Sequence, residues 1–384
     1  MRMSRSEQDH PCKPWSQAWV ATAYAALDVH GSAGFIPEAE ILVLPTVPGT
    51  PLALSGCGAA LWRRMVNRPV AVAGLDPGER EIAREMEEMG LASSDHDHPD
   101  RVVTLSAPWL ESPMHELVYA LAAKLAWQRL IPMVFIKGPM LHAQGLRQRR
   151  HSADVDAWVQ YEHVDALSLA LREWGWTRRP ATWVNHSVTL FPGEWGCEID
   201  LHHGFPGMSL ARGKEFMALR HRSETATFAG TDALAPTKPA AAVLSALHAC
   251  RPSPGGTTEP AYVDDAVRIL RAAGEESLVV AHELGATAAL APALSRAFPH
   301  AELVTDGALP ANWAWRLRRN RVAAYALALR ASPLRTLPKR IWRTVWPRPE
   351  EVIAADVAGG HDGKSVFLAR GRRLRALMRT ARRR

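Results

Sequence analysis

Cysteine is scarce in this 384-residue chain: Cys12, Cys57, Cys197 and Cys250 stand far apart and form no CxxC pair. That spacing argues against a disulfide framework or a zinc knuckle and fits a reducing compartment. No uncharged apolar run reaches the ~18 residues that a spanning helix needs. The first residues also lack the basic, apolar and small-residue order of a secretory signal. The expectation is a soluble, cytoplasmic protein with no membrane partner. No internal repeat is evident. Hydrophobic residues at 47% and charged residues at 22% exclude wholesale disorder.

The length exceeds what one core usually organises, so two or three domains are expected. A formal charge of +7 favours anionic partners such as nucleotides, acidic peptides, nucleic acid or a membrane surface, among which composition does not choose. Much of that excess lies at the end, in Arg370, Arg372, Arg373, Arg375, Arg379, Arg382, Arg383 and Arg384. The expectation there is a short, solvated tail, with a nucleic-acid arm disfavoured.

Residues 40–54 hold two β-prone runs, ILVLP and PLALS, around Val47-Pro48-Gly49-Thr50, which predicts a hairpin. Ser55 is placed to cap a helix over 56–67, and Asp76-Pro77 opens another that ends at Gly90. Strand, strand, helix, helix describes a small winged-helix-like unit. The polar stretch 93–100, with His96 and His98 among aspartates, reads as a linker whose histidines face water. Beyond it the pattern alternates: an apolar helix over 113–129, a strand over 133–136, a turn at Lys137-Gly138-Pro139 and a short helix. A strand over 154–159, a helix over 161–174 and two strands over 187–191 and 197–202 complete it. This predicts a mixed or antiparallel sheet. From Pro236 onward the chain reads as helical. The fold class is therefore α+β: a winged-helix-like unit, a central mixed-sheet core and a C-terminal α-helical lobe.

The chemistry concentrates in the middle. Residues two apart in a strand share a face, so Asp154 and Asp156 present two carboxylates together. Such neighbours oppose each other's ionisation, and a divalent metal with oxygen ligands is the usual relief. Glu198, Asp200 and His202 repeat the pattern, and Asp200 beside the first pair completes a three-carboxylate cluster suited to phosphoryl or nucleotidyl transfer. Lys137-Gly138, where strand becomes helix, suits phosphate, and Arg150 can fork onto phosphate oxygens. His202 shares the Asp200 face. Trp174, Trp176, Trp183 and Trp195 are first of all core material, though an indole can stack on a base. Cys197 has no base partner in the pattern.

The stretch FIKGPMLHAQGLRQRRHSADVDAWV followed by CEIDLHHGF resembles an uncharacterised nucleotidyltransferase family of the polymerase-β-like superfamily, whose members read K-G, R-x-x-x-D-x-D and a later D-L-H. Lys137-Gly138 stands where better-studied members carry Gly-Ser. The resemblance, over roughly 110–350, implies Asp154 and Asp156 as metal ligands and Asp200 as the third. Residues 35–92, above all ILVLPTVPGTPLALSGCGAALWRRMVN, look like the PqqD-like domain that recognises leader peptides of ribosomally made natural products. That likeness implies strand addition by a leader segment; a plain packing module is the alternative.

Together these readings divide the chain into an extension (1–34), a PqqD-like unit (35–95), a nucleotidyltransferase core (105–235) and a helical lobe with a basic tail (236–384). They predict transfer of a nucleoside monophosphate from an NTP, most simply ATP, with Mg²⁺ or Mn²⁺, to a precursor peptide. The catalytic and metal residues are Asp154, Asp156 and Asp200, with Asp200 either completing a second ion site or taking the acceptor's proton. Lys137, Gly138, Arg150 and His202 hold the nucleotide. The alternatives are a non-catalytic peptide-binding adaptor on a relic fold and a small-molecule nucleotidyltransferase.

Overall fold

A computed structural model describes residues 18–31, 38–150, 152–180, 186–211, 213–253, 260–304, 307–318, 321–330 and 337–382. The chain divides into two compact units, Met1–Trp109 and Leu110–Arg384.

The first unit contains β1 (Ala18–Ala21), β2 (Ala25–Asp28), β3 (Ile41–Leu44), β4 (Leu52–Leu54), α1 (Gly56–Asn67), β5 (Val70–Ala71), α2 (Pro77–Glu88) and β6 (Ala92–Ser93). The expected hairpin is β3–β4, and both helices form where the sequence places them. Asp76 and Glu79 cap α2 reciprocally, each side chain accepting from the other's backbone N–H. Strand, strand, helix, helix is nevertheless incomplete. Residues 18–28, read as part of an extension, supply β1 to a sheet ordered β5-β1-β6 and β2 to one ordered β2-β3-β4. The start of the PqqD-like reading, at residue 35, lies outside the described residues. The polar stretch read as a linker is folded in: β6 pairs with β1, His96 Nε2 lies 3.1 Å from the Ala18 carbonyl, and Ala23 N donates to Asp100 O at 3.0 Å. Trp62, fully buried, anchors the core and donates its indole N–H to Leu91 O at 2.8 Å.

The second unit is built on a seven-stranded mixed sheet. Its elements are α3 (Pro113–Gln128), β7 (Met133–Phe135), α4 (Met140–Ala143), β8 (Asp154–Val159), α5 (Val164–Glu173), β9 (Thr177–Arg178), β10 (Ser187–Phe191), β11 (Glu198–His202), α6 (Lys214–His221), β12 (Ser223–Phe228) and β13 (Thr231–Pro236). The strand order is β12-β13-β7-β8-β11-β10-β9, with β8 and β11 parallel and β7 antiparallel to β8. The β12–β13 hairpin and the short β9 were absent from the sequence reading. Helix α3 is apolar almost all round because it is buried almost all round, against β8, β12, β13 and α5.

The helical lobe comprises α7 (Lys238–Cys250), α8 (Pro260–Ala273), α9 (Glu276–Glu283), α10 (Thr287–Ala297), α11 (Ala311–Ala314), α12 (Arg321–Arg330), α13 (Leu337–Val345), α14 (Pro349–Ala358) and α15 (Val366–Arg382). Leu244 and Leu247 of α7 and Leu270 of α8 share one buried cluster with Trp158 of β8, Phe205 and Phe216. Each such leucine contributes roughly 1.5–3 kcal/mol by leaving water. The lobe thus packs on the sheet face that bears Trp158, the face of Asp154 and Asp156. The arginine-rich end departs in part from the solvated-tail expectation: Arg375 and Arg379 are exposed on α15, while three other arginines are held. Arg372 forks onto Asp356 at 2.7 and 2.6 Å, Arg373 donates to Thr344 O, and Arg370 donates to Pro347 O while lying over Trp346. Arg383 and Arg384 lie outside the described residues. No helix among the described residues is long and apolar enough to cross a membrane.

Candidate active site

Parallel pairing of β8 with β11 sets Asp154 opposite Glu198, Asp156 opposite Asp200 and Trp158 opposite His202. Side chains of paired residues point to the same face, so the strands lay two carboxylates and an imidazole side by side. Val155, Ala157, Ile199 and Leu201, on the other face, are fully buried and fix the register.

On the opposite side of β8, Ile136 N donates to the Asp156 carbonyl at 2.9 Å, holding the chain leaving β7 against the centre of β8. Lys137 and Gly138 then adopt φ of +62° and +59° in succession. This double left-handed step returns the lysine side chain over β8, and Nζ reaches Asp156 Oδ1 at 2.8 Å. A lysine in that region costs about 1–2 kcal/mol of backbone energy. Gly138 admits no replacement on steric grounds either, since a Cβ there would collide with the Tyr119 hydroxyl. That hydroxyl is buried without a hydrogen-bond partner, and burial, followed by the Asp156 charge, pushes the phenol well above its ordinary value.

Asp156 is 3% exposed, and its Oδ1 also lies 2.7 Å from His202 Nε2. Burial first, then the Lys137 charge, drives the His202 imidazole well below its usual range. A neutral ring at that distance from a carboxylate oxygen carries its proton on Nε2 and donates it. His202 Nδ1 is then an unpartnered buried acceptor. Asp200 accepts from the Thr189 hydroxyl. Ligand atoms of Asp156, Asp200 and His202 lie within 4.8 Å of one another. Two carboxylate oxygens and an imidazole nitrogen fit Mn²⁺, and fit Mg²⁺ if water and phosphate oxygens complete its shell. The ammonium of Lys137 marks where Asp156 already receives positive charge.

The other sequence-predicted residues fall as follows. Asp154 is half-buried, accepts from the Ser152 hydroxyl at 3.0 Å and stands outside the three-residue group. His202 therefore occupies the third place that the sequence reading gave to Asp154. Arg150 is exposed and lines a small pocket with Ser112, His115, Tyr119, Pro139 and Ser152. The arginine that supports the turn is Arg147, whose Nη2 donates to Gly138 O at 3.1 Å. Trp174, Trp176 and Trp195 are buried and use their indoles structurally, Trp176 donating to Cys197 O and Trp195 to Trp174 O. Trp183 lies outside the described residues. Burial pushes the Cys197 thiol up to about 12, as an inert core residue requires.

Five contributors escaped the sequence reading: Tyr119, Thr189, His186, Arg251 and Arg316. His186 sits one residue before β10 and Arg251 one residue after α7. Arg251 Nη1 donates to His186 Nε2 at 2.9 Å. Burial, then His202 and the two arginines, takes the His186 imidazole down to about 2. His248, near the end of α7, is exposed, yet the crowding around it, with Lys137 and Arg251, holds its imidazole below the ordinary value. A signal for Thr189 existed, because it pairs directly with Asp200 across β10–β11.

No protein-family model and no curated protein sequence matches the chain. Among solved structures, the antibiotic-resistance factor ANT(2'')-Ia, described in solution with substrate-regulated conformation dynamics, matches at 15% identity and a TM-score of 0.31. That match covers 49% of this chain and 98% of the other. A likeness at this level says nothing about what this chain binds.

Proposed function

We propose that the second unit is a metal-dependent nucleotidyltransferase, moving a nucleoside monophosphate from an NTP, most simply ATP, to an acceptor. The observation that carries the reading is the side-by-side placement of Asp156 and Asp200 by parallel strands, with His202 and Lys137 converging on the same carboxylate oxygen. Asp156, Asp200 and His202 would hold Mg²⁺ or Mn²⁺, which would supply charge neutralisation for the phosphates and an activated oxygen at the acceptor. Were Asp156 to hold a cation, Lys137 would be free to donate to a phosphate oxygen. Its left-handed backbone keeps the ammonium within reach. Asp154, tethered through Ser152, extends the acidic edge toward the solvent side of β8. Asp200, which accepts from the Thr189 hydroxyl, would accept the acceptor's proton.

The acceptor we propose is a ribosomally synthesised precursor peptide, delivered by its leader to the first unit. Support for this comes from the PqqD-like sequence pattern and from β4, which among the described residues pairs only with β3 and leaves one edge open for strand addition. The test incubates the protein with each α-labelled NTP, Mg²⁺ or Mn²⁺ and a candidate peptide, reading intact peptide mass. A metal-dependent gain of one nucleotide, lost in Asp154→Ala/Asp156→Ala, supports the reading. Tight peptide binding without a gain moves it to a non-catalytic adaptor. Labelling of a small molecule alone assigns a soluble acceptor.

A further inference from the structure

Three cations surround a neutral histidine beside the carboxylates. His186 feels Arg251, Arg316 and Lys137 together, yet its side chain is an uncharged acceptor for Arg251. Arg316 is 8% exposed, donates to Pro252 O, lies over the Trp315 ring and has an unpartnered Nε. Its guanidinium is held down to about 10 by burial and by Arg251. Among the described residues neither arginine forms an ion pair. Asp156 and Asp200 act on Arg251 only through space, their near oxygens being engaged by Lys137, His202 and Thr189.

A guanidinium that is buried, as in Arg316, or half-buried, as in Arg251, is costly without a carboxylate, and the cost is relieved by an anion that arrives from outside. The charge count sharpens this. A divalent cation on Asp156 and Asp200 would neutralise both carboxylates, leaving Lys137, Arg251 and Arg316 with no anion of the protein's own. A phosphate group, with about two negative charges, offsets most of these three positive ones. Arginine is also suited to the task, since its planar fork matches phosphate oxygens.

We propose that Arg251, steadied by His186 and reinforced by Arg316, is the phosphate-binding arm of this site on the β10 side, opposite Lys137. The charge count rests on the metal-site reading above; the missing ion pairs do not. The ligand class is a phosphate or pyrophosphate group, borne either by the nucleotide or by the acceptor.

The test is calorimetric titration of inorganic pyrophosphate into the full-length protein, in EDTA and in saturating Mg²⁺, for the wild type, Arg251→Gln, Arg251→Lys and Arg268→Gln, the last at an exposed arginine paired with Asp265. Loss of a charge-assisted hydrogen bond weakens affinity about tenfold or more in Arg251→Gln. Arg251→Lys is expected to lose less, and Arg268→Gln to match the wild type. Mn²⁺ affinity, titrated separately, is not weakened in Arg251→Gln. Equal pyrophosphate affinity in wild type and Arg251→Gln in both arms overturns the proposal, as does no binding to the wild type. A protein that binds no metal but needs Arg251 for pyrophosphate in EDTA refutes the metal reading and leaves this one standing.

Phenylglyoxal labelling of the unmutated protein, read by peptide mass, provides a measurement independent of variant folding: pyrophosphate should slow modification of Arg251, and lack of protection counts against the site. A non-hydrolysable ATP analogue with Mg²⁺ separates the sources. Protection by the analogue assigns the arm to the nucleotide's phosphates; no protection by the analogue, with pyrophosphate still protecting when added on top of it, assigns it to the acceptor.

Discussion

Lys137→Met should tighten metal binding while impairing nucleotide use. The ammonium sits 2.8 Å from Asp156 Oδ1, with the lysine side chain 14% and the aspartate side chain 5% exposed. At an effective dielectric of about 20, Coulomb attraction across that gap is about 6 kcal/mol. Desolvation of both groups offsets most of it, leaving a net interaction of roughly 1.5–3 kcal/mol, typical of a charged hydrogen bond. A cation taking the same oxygen must displace the ammonium, so removing it improves Mn²⁺ affinity roughly ten- to a hundredfold. Methionine keeps the length and apolar stem of the lysine. The assay is Mn²⁺ titration by calorimetry or by electron paramagnetic resonance of the free ion. Asp156→Asn serves as the opposite control and should lose binding. Unchanged or weaker Mn²⁺ affinity in Lys137→Met would refute the idea that cation and ammonium compete for one oxygen.

Gly138→Ala should destabilise the second unit by roughly 2–4 kcal/mol, combining left-handed strain with the clash on Tyr119. Adding Tyr119→Phe removes the obstructing hydroxyl and should recover the steric part, leaving about 1–2 kcal/mol in urea unfolding. Tyr119→Phe alone should be neutral or stabilising by up to about 1 kcal/mol, because its hydroxyl is buried without a partner. Acid should weaken the fold early in EDTA. His186 and His202 are held neutral in the native state, His186 down to about 2. Between that value and the unfolded value near 6.5 the unfolded chain binds more protons, so stability falls as pH drops below about 6.5, by up to ~1.4 kcal/mol per unit for each. His186→Gln should flatten that slope in urea titrations at pH 7.5, 6.5 and 5.5; an unchanged slope would show that His186 already titrates normally in the fold.

Much of the sheet core was legible because its signals are local. Val155 and Ala157 alternate with Asp154 and Asp156, and α3 announces itself by an apolar run opened by Ser112-Pro113. The β12–β13 hairpin was not, because SETATF and TDALAP carry little hydrophobic alternation, and Ala229, at φ +47°, looks like no turn residue. Its support is distant: the buried Glu116 carboxylate on α3 accepts from Ala229 N at 2.9 Å. β1 and β2 are alanine-rich and give no period that separates strand from helix. In the site, the D-x-D and E-x-D-x-H spacings revealed the shared face but not which three groups meet. Register pairs Asp156 with Asp200, and the side-chain positions bring His202 to them while Asp154 stays outside the group. Arg251 and His186 come from chain regions 65 residues apart, so only the fold could join them.

Strand β8 has three strands on either side of it. Opening the sheet from one edge therefore leaves Asp156 seated until three other strands have come away. In native-state hydrogen exchange, the β8 amides should be among the last to trade deuterium, well after those of β9 and β12. A residue anchored that deeply moves little on the timescale of ligand arrival. Adaptation to different ligands then falls to the pieces that meet it from outside the strand: the Lys137 turn, the start of β10 and the end of α7.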